Sequence, residues 1–572
     1  MNAHSWMPEW VRQYRRDWLG GDLAAGLIVS VMLIPQSLAY ALLAGLPPQA
    51  GLYASVLPLL AYALFGSSMA LAVGPVAIVS LMTASALAPL AAPGSAEYIT
   101  LAMMLALMSG VILAAAGLLR LGFLAYFLSH SVISGFISGT AILITLGQLK
   151  YLLGIPLPGG SALSMLAALP SALQSVNPVA ATMGIGAIVL LVVARTGVPQ
   201  MLNTLGISQR RSAMVSRLTP MLVVIVATSY SAMNQIDQTA HVSIVGAVPS
   251  GLPALTLPYV QISMLHALAL PALLISLVGF VESVSVAQSL ALKRGERISP
   301  NKELIGIGAA NVASAISGGF PVTGGFARSV VNHDAGAHSP GAGIVSAIIM
   351  SIVVVALTGW FYYLPHAVLA ATIIVAVLTL VDFKSVIDTW RYDKADAVAM
   401  LLTFAGVLLL GVEEGILLGV ALSLAVLVWR SSHPHMAVVG RVPNTEHFRN
   451  IDRHEVETRP GLIALRVDES LYFANAQIVE TNIERLVQEQ PQTRCVLLIM
   501  SAVNQLDTTA LQMLTELDTS LSARGISLQF AEVKGPVLDK LQSSALGRRM
   551  RKRIFLSTHQ AFNAFTGNDD VR

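Results

Sequence analysis

Apolar residues run through this chain in blocks about as long as a bilayer is thick. A span needs about 20 mostly apolar residues. Such blocks lie near 23–43, 50–65, 71–90, 98–118, 122–148, 177–195 and 214–233, and again near 265–292, 302–317, 321–333, 341–361, 364–381, 395–411 and 413–430. The pattern predicts about 14 segments, several short or broken by Pro and Gly. After Trp429 charged residues become frequent, and "WRSSHPHM" marks the sharpest boundary in the sequence. From about 440 the period changes. "LIALRVDESLYFA", "CVLLIM" and "ISLQFAEV" read as strands, whereas "NAQIVETNIERLVQEQ" and "TTALQMLTELDTSLSARG" read as amphipathic helices, the second ending at Gly525. The domains expected are an N-terminal segment 1–21, a membrane domain 22–431 and a small α/β domain 436–572.

Composition fixes the class. Of 572 residues 55% are hydrophobic and 11% charged, and mean hydropathy is +0.70. Soluble domains carry about 25% charged residues, so lipid solvates most of this chain. A net charge of +3 gives no basis for a nucleic-acid partner. The single cysteine, Cys495, excludes an intramolecular disulfide framework and leaves no metal-ligand cluster. The sequence carries no phosphate-cradling loop and no nucleophile–base pair, so no enzyme is expected. The N-terminus opens with Trp6, Trp10 and "RQYRRDW", and the run that follows is too long for a signal peptide, so it is read as a retained span.

Charge asymmetry orients the spans. With the N-terminus cytoplasmic, alternating spans put Arg120, "RTGVPQMLNTLGISQRRSAMVSR", "LKRGERISPNK", "FKSVIDTWRYDK" and Arg430 on the cytoplasmic side. The other side receives "AGLPPQAG", "AAPGSAE" and "NQIDQTAHVSIVGAVPSGLP", which lack Lys and Arg; Lys150 is the exception. The positive-inside rule therefore places both termini in the cytoplasm, with the chain multi-pass in the inner (plasma) membrane.

An internal repeat follows. "LIPQSLAYALLAG" matches "GFVESVSVAQSLA" in carrying one polar residue mid-span, and "AVGPVAIVS" matches "GFPVTGGFARS" as a Gly/Pro break opening a helix. Gln36 to Glu282 and Pro75 to Pro321 give one common offset, 282 − 36 = 321 − 75 = 246. Seven spans per repeat, an odd number, invert the second half (about 262–431) relative to the first (about 22–235). Paired interrupted segments in inverted halves point to a central solute site.

The chemistry gathers there. Pro75 and Pro321 each suit the first turn of a helix, and helices starting mid-membrane aim unpaired N–H groups and positive dipole ends at a shared point, which is an anion site. Glycines around it let backbone approach a bound ion. Arg328 adds a full charge in a place where an unanswered arginine costs roughly 2.5–3.5 kcal/mol on insertion scales. Its bland alternative is a structural pair with Glu282 or Asp334. Glu282, deep in its span, either binds a co-transported H+ or Na+ or balances Arg328. Gln36 and Tyr40, one helical turn apart, face the same way; Gln36 either donates to an oxyanion or makes an interhelical bond. Glu413 and Glu414 read as a solvated outer turn, and His333 and His338 as residues of a cytoplasmic loop.

The stretches "IPQSLAYALLAGLPPQAGLYAS", "AVGPVAIVSLMT", "FISGTAILITLGQLKYLLGI", "VGAVPSGLPAL" and "FPVTGGFARSVVNHDAGAHSP" together resemble the SulP family of inorganic anion transporters, and the C-terminal part resembles its STAS domain. The resemblance covers nearly the whole chain. It implies a polytopic α-helical membrane protein with a 7+7 inverted repeat divided into core and gate domains, working by elevator-like movement, usually as a homodimer. It carries substrate contacts onto Gln36, Tyr40, Val76, Phe326, Ala327 and Arg328, and coupling onto Glu282. Many members have a serine where this chain has Ala327, so one hydroxyl donor is missing. Some carry an acid where this chain has Gln36, so proton or sodium linkage would rest on Glu282. Apart from that co-transported ion no cofactor is implied. In the STAS family the turn at Asp507, Thr508 and Thr509 is a phosphorylation site that can serve a cytoplasmic protein partner, whereas helix capping is the plainer role for these residues.

The reading is a secondary transporter of a small inorganic or organic oxyanion, with sulfate the family's commonest substrate and bicarbonate or C4-dicarboxylates as competitors. An uncoupled anion channel shares the same site. A membrane-anchored STAS sensor is the alternative of another class, disfavoured because a mere anchor needs no broken spans.

Overall fold

The computed structural model describes residues 8–126, 129–204, 206, 209–259 and 262–565; Trp6 and part of the basic stretch between Arg195 and Arg217 lie outside them. Packing divides the chain into two compact units, Met1–Ser423 and Leu424–Arg572. The principal helices of the apolar unit are α1 (Trp18–Leu43), α2 (Leu57–Phe65), α3 (Ala77–Leu87), α4 (Ala96–Leu118), α5 (His130–Leu153), α6 (Pro178–Thr204) and α7 (Gln209–Asn234). A second series follows: α8 (Ile262–Arg294), α9 (Pro300–Ile316), α10 (Phe326–Ala335), α11 (Gly341–Ala356), α12 (His366–Leu378), α13 (Lys394–Leu409) and α14 (Val412–Ser432), the last of which runs on past Ser423. Among the described residues, eight helical segments are long and apolar enough to cross a membrane, and four apolar helices are shorter.

The short ones matter most. Helix α3 has 11 residues and α10 has 10, which at 1.5 Å per residue covers roughly half of an apolar core about 30 Å thick. Each is completed by extended chain. Strand β1 (Val73–Gly74) precedes α3 and β2 (Thr323–Gly324) precedes α10, and the two pair antiparallel, Val73 with Gly324 and Gly74 with Thr323. Backbone that leaves the helix inside a bilayer must find partners within the protein, and this two-residue ribbon supplies them.

Two buried carboxylates brace the broken segments crosswise. Glu303, on α9 in the second half, is fully buried and accepts from the Tyr62 hydroxyl at 2.8 Å, the Ser67 hydroxyl at 2.6 Å and the backbone N–H groups of Ser67 and Ser68 at 2.8 and 2.9 Å. It thereby fixes the chain just before β1. Asp22, on α1 in the first half, accepts from the N–H groups of His338 and Ser339 at 2.7 and 3.0 Å and from the Ser339 hydroxyl at 2.6 Å, fixing the chain just after α10. Each half holds the other's interruption. Close helix contact is made possible by small residues: a Cβ on Gly110 of α4 would stand 2.8 Å from the Gly308 carbonyl of α9, and one on Gly308 would stand 2.7 Å from the Ala114 nitrogen.

Several expectations are corrected. The block 50–65 is two pieces, Pro48–Tyr53 and α2. The block 122–148 begins with a 3-10 turn, Leu121–Tyr126, and its helix starts only at His130. Two short helices were not anticipated: Ala162–Ala172, hidden between Gly/Pro- and Ser-rich flanks, and Phe383–Tyr392, which buries no residue and mixes Lys384, Asp388 and Arg391 with its aromatics. His333 belongs to the last turn of α10, its Nδ1 3.2 Å from an Asp334 carboxylate oxygen. Glu413 is half-buried in the first turn of α14, with one carboxylate oxygen shielded and unpartnered; it is not a solvated turn residue. Lys150 closes α5 with its Nζ 4.6 Å from the centre of the Tyr151 ring.

The second unit is a six-stranded sheet in the order β4-β3-β5-β6-β7-β8, built from β3 (Met436–Arg441), β4 (Phe448–Asn450), β5 (Leu462–Val467), β6 (Cys495–Ile499), β7 (Ser527–Ala531) and β8 (Ile554–Phe555). Strands β5 to β8 are parallel, with Leu465, Leu498 and Phe530 in register. Helices α15 (Ala476–Glu489) and α16 (Thr508–Ala523) bury Val479, Ile483, Leu514 and Leu517 in a core with Val496, Leu498 and Phe530. Asp507 caps α16, its side chain accepting the Ala510 N–H at 2.8 Å and the Phe473 N–H at 2.8 Å, while Thr508 and Thr509 are exposed.

Cys495 opens the buried central strand β6, and burial pushes its thiol up to about 12. Since the thiolate is the reactive form, native protein at pH 7.5 should show no maleimide labelling, and protein unfolded in denaturant should take up one label per chain. Labelling of the native form at the unfolded rate would contradict the burial of this strand.

Candidate functional site

The ribbon brings the starts of α3 and α10 side by side. Val76 is the N-cap of α3 and Gly325 that of α10, and no side chain caps either end. The register differs from the one expected. The N-caps are 325 − 76 = 249 residues apart, not the 246 of the proline pair. Pro75 lies just outside α3, and Pro321 lies in extended chain four residues before the N-cap of α10. The prolines therefore keep the backbone extended and do not occupy first helical turns.

Side chains lock this arrangement. Asn311, 1% exposed on α9, accepts the Val322 N–H at 2.9 Å and donates to the Val322 carbonyl at 2.8 Å and the Ile307 carbonyl at 2.9 Å. The Ser283 hydroxyl accepts the Gly324 N–H at 2.9 Å and lies 2.6 Å from the Thr323 hydroxyl, which donates to the Gly279 carbonyl at 2.6 Å. From α10, the Ser329 hydroxyl accepts the Ala72 N–H at 2.9 Å and Asn332 donates to the Ala70 carbonyl at 3.0 Å. Asn311, Ser283 and Ser329 were missed in the sequence. The signal was there, an amide and hydroxyls within apolar helices, but such residues also satisfy themselves on their own helix.

Arg328 is 2% exposed. Its Nη1 donates to the Pro75 carbonyl at 2.6 Å and makes a long 3.5 Å contact with Gln36 Oε1. Nε and Nη2 are shielded and, among the described residues, have no partner. They pack over two glycines: a Cβ on Gly325 would stand 2.9 Å from Nη2, and one on Gly74 would stand 3.3 Å from it. The pair to Glu282 or Asp334 is not what holds the guanidinium; the carbonyl of the other half is. A buried charged donor left unmade costs more than the 1–3 kcal/mol typical of neutral groups, so this cation keeps capacity for a negative partner.

A cavity of about 560 Å³ lies against these groups. Gln36 and Tyr40 line it from α1, Val76 from the N-cap of α3, Glu282 from α8, and Phe326, Ala327 and Arg328 from the start of α10. All seven residues singled out in the sequence thus border one space. Tyr40 and Val76 are each 7% exposed, whereas Phe326 is 51% exposed. One oxygen of Glu282 is buried without a partner. The cavity extends to Arg195, Pro199, Ser216 and Thr219, near the α6–α7 connection, and to Thr379 beyond α12. Such a space, with two uncapped helix starts and one guanidinium, suits a small anion. Among the described residues no group of three or more His, Cys, Asp or Glu side chains is placed to hold a metal ion.

Comparison with known proteins gives the family and the fold. A model described as the sulfate permease family matches residues 19–403, and one for the STAS domain matches residues 453–561. The chain is 35% identical over 568 residues to the chloroplastic sulfate transporter 4.1 of Arabidopsis thaliana, covering 96% of this chain and 81% of that one. It is 35% identical over 570 residues to a probable sulfate transporter of Mycobacterium tuberculosis, covering 99% of each. Its fold superposes on the murine solute carrier 26 member A9, an anion transporter in the inward-facing state, with a TM-score of 0.87 at 24% identity over 98% of this chain and 93% of that one. The transmembrane domain of a cyanobacterial bicarbonate transporter, BicA, gives a TM-score of 0.60 at 25% identity over 72% of this chain and 98% of that one.

Asn311 offers a direct test of the framework. Asn311→Ala leaves the buried N–H and C=O of Val322 without their side-chain partner, a loss of about 2–6 kcal/mol at 1–3 per group. The unfolding midpoint in detergent should fall by several degrees. Gly186→Ala on α6, where a new methyl meets open space, should not lower it, since alanine favours the helix over glycine.

Proposed function

We propose, from the premise that this chain belongs to the sulfate permease family and so carries anions across a membrane and is not an enzyme, that it is a secondary active sulfate transporter whose substrate binds between the starts of α3 and α10. The observation that carries this reading is Arg328: a buried guanidinium, one arm fixed to the Pro75 carbonyl and two donors unpartnered, beside two uncapped helix ends. Each helix end contributes the equivalent of about half a positive charge. Together with Arg328 they replace the hydration that a small oxyanion sheds. Sulfate is favoured because the relatives that match over nearly the whole chain are named for it.

Bicarbonate is the second reading, favoured by Ala327, which puts a methyl where a hydroxyl donor would serve a dianion, and by the likeness to a bicarbonate transporter. C4-dicarboxylates make the same demands of the site.

Transport proceeds by elevator-like displacement of the half-helices and their cross-braced neighbours against the remaining helices. The cavity reaches the α6–α7 connection, which the charge asymmetry assigns to the cytoplasm, so this conformation faces inward, with both termini cytoplasmic in the inner membrane. Glu282, with an unpartnered oxygen in the same cavity, holds the co-transported H+ or Na+; the positive charge of that ion offsets part of the substrate's.

In proteoliposomes, Arg328→Ala should weaken sulfate binding by roughly thirtyfold to several thousandfold, the equivalent of about 2–5 kcal/mol for truncating one side of a buried charged contact, and reduce ³⁵S-sulfate uptake to the protein-free background. Yield and elution volume should stay as in the unmodified protein; normal uptake by this variant would remove the site. Glu282→Gln should abolish the response of uptake to imposed H+ or Na+ gradients while anion binding persists. An unaltered gradient response would take Glu282 out of coupling. Competition by bicarbonate and succinate in the same assay separates the substrate readings.

A further inference from the structure

Among the described residues, the charged ones lining the cavity are Arg328, Glu282 and, far from both in sequence, Arg195 on α6. Leu191, Arg195 and Pro199 are spaced by four and all line the cavity, as residues one helical turn apart share a face. Between them Val192 and Val193, 47% and 55% exposed, occupy other faces of the helix. Arg195 thus projects from the cavity stripe of its helix and is not an arginine spreading along the lipid side. Its side chain is exposed, and among the described residues no hydrogen bond or ion pair engages it. Among the described residues the other polar lining at this end, Ser216 and Thr219 from α7 and Thr379 beyond α12, is uncharged.

We propose that Arg195 is a second anion-positioning residue, a cation at the α6–α7 end of the cavity that gathers small oxyanions from that side and hands them to the Arg328 site. The inference rests on reading the cavity as the anion path. A charged group at the mouth of a low-dielectric cleft focuses the field into it and raises the local concentration of counter-charge. It acts over about one Debye length, roughly 8–10 Å at physiological salt. Its freedom from acidic partners is what such a role requires, because a paired arginine would present no net charge to an arriving anion. Glu282, which lines the same cavity, works against both arginines, so the attraction that carries an anion onward is that of Arg328.

The test reads the field directly. In full-length protein with Cys495→Ser, Phe326→Cys places a thiol in the cavity, and its modification is timed with an anionic sulfonatoethyl and a cationic trimethylammonioethyl methanethiosulfonate. Arg195→Gln should lower the anionic-to-cationic rate ratio roughly three- to tenfold at low ionic strength. Arg195→Lys should restore most of it, and 1 M salt should erase the difference. An unchanged ratio overturns the proposal, whichever anion the protein carries. For sulfate uptake, Arg195→Gln with the native cysteine and phenylalanine should raise KM at low salt with kcat unchanged. A fall in kcat at constant KM would make Arg195 structural and also overturn it. If Arg328→Ala transports sulfate normally, the proposed site fails, yet the rate ratio still decides Arg195.

Discussion

A guanidinium buried within an apolar unit has to be answered by something, and here the answer is a backbone carbonyl from the opposite half of the chain. The 2.6 Å bond from Arg328 to Pro75 is available only because the carbonyl lies in extended backbone, outside any helical ladder. That backbone is tolerable only because β1 and β2 pair and because Asn311, Ser283 and Ser329 satisfy the peptides on either side. Remove the interruption and the carbonyl returns to a helix; remove the arginine and the uncapped ends of α3 and α10 lose the charge that joins them into one site. Glycine at positions 74 and 325 is the steric condition for both, since any larger residue would crowd the guanidinium.

The cross-bracing carboxylates extend the same logic outward. Glu303 meets four donors and Asp22 three at 3.0 Å or less. A buried carboxylate accepting several N–H and O–H groups holds its partners in one geometry. The site is therefore rigid along the ribbon and its flanks, while the cavity wall opposite is made by α6, α7 and α12. A division into a braced part and a facing wall is what movement of one against the other requires.

Much of this was legible in the sequence, for identifiable reasons. A lone arginine in a glycine-studded apolar segment stands out because its cost in lipid is large. Gln36 and Tyr40 share a helical face by spacing alone. The change of period after residue 440 separates the sheet unit cleanly. The register of the interrupted segments was misjudged because the matching prolines are the most visible residues there, whereas helix starts are set by Val76 and Gly325, which have no distinctive chemistry. Asn311 was passed over because an amide in an apolar helix has an easy bland explanation, and Glu413 because it sits with Glu414 at the gap between the last two apolar runs, where a turn is expected and a helix begins. The helix Phe383–Tyr392 escaped notice because its charges interrupt the apolar run that hydropathy follows.

The ribbon has a consequence for biosynthesis. Its two strands are 324 − 73 = 251 residues apart, so at roughly 5–20 residues per second the first strand emerges some tens of seconds before its mate exists. During that interval the polar peptides around Val73 and Gly74 lack their final partners while neighbouring helices are already entering lipid. The first interruption is therefore completed only after the second has been made, and until then its peptides depend on provisional partners.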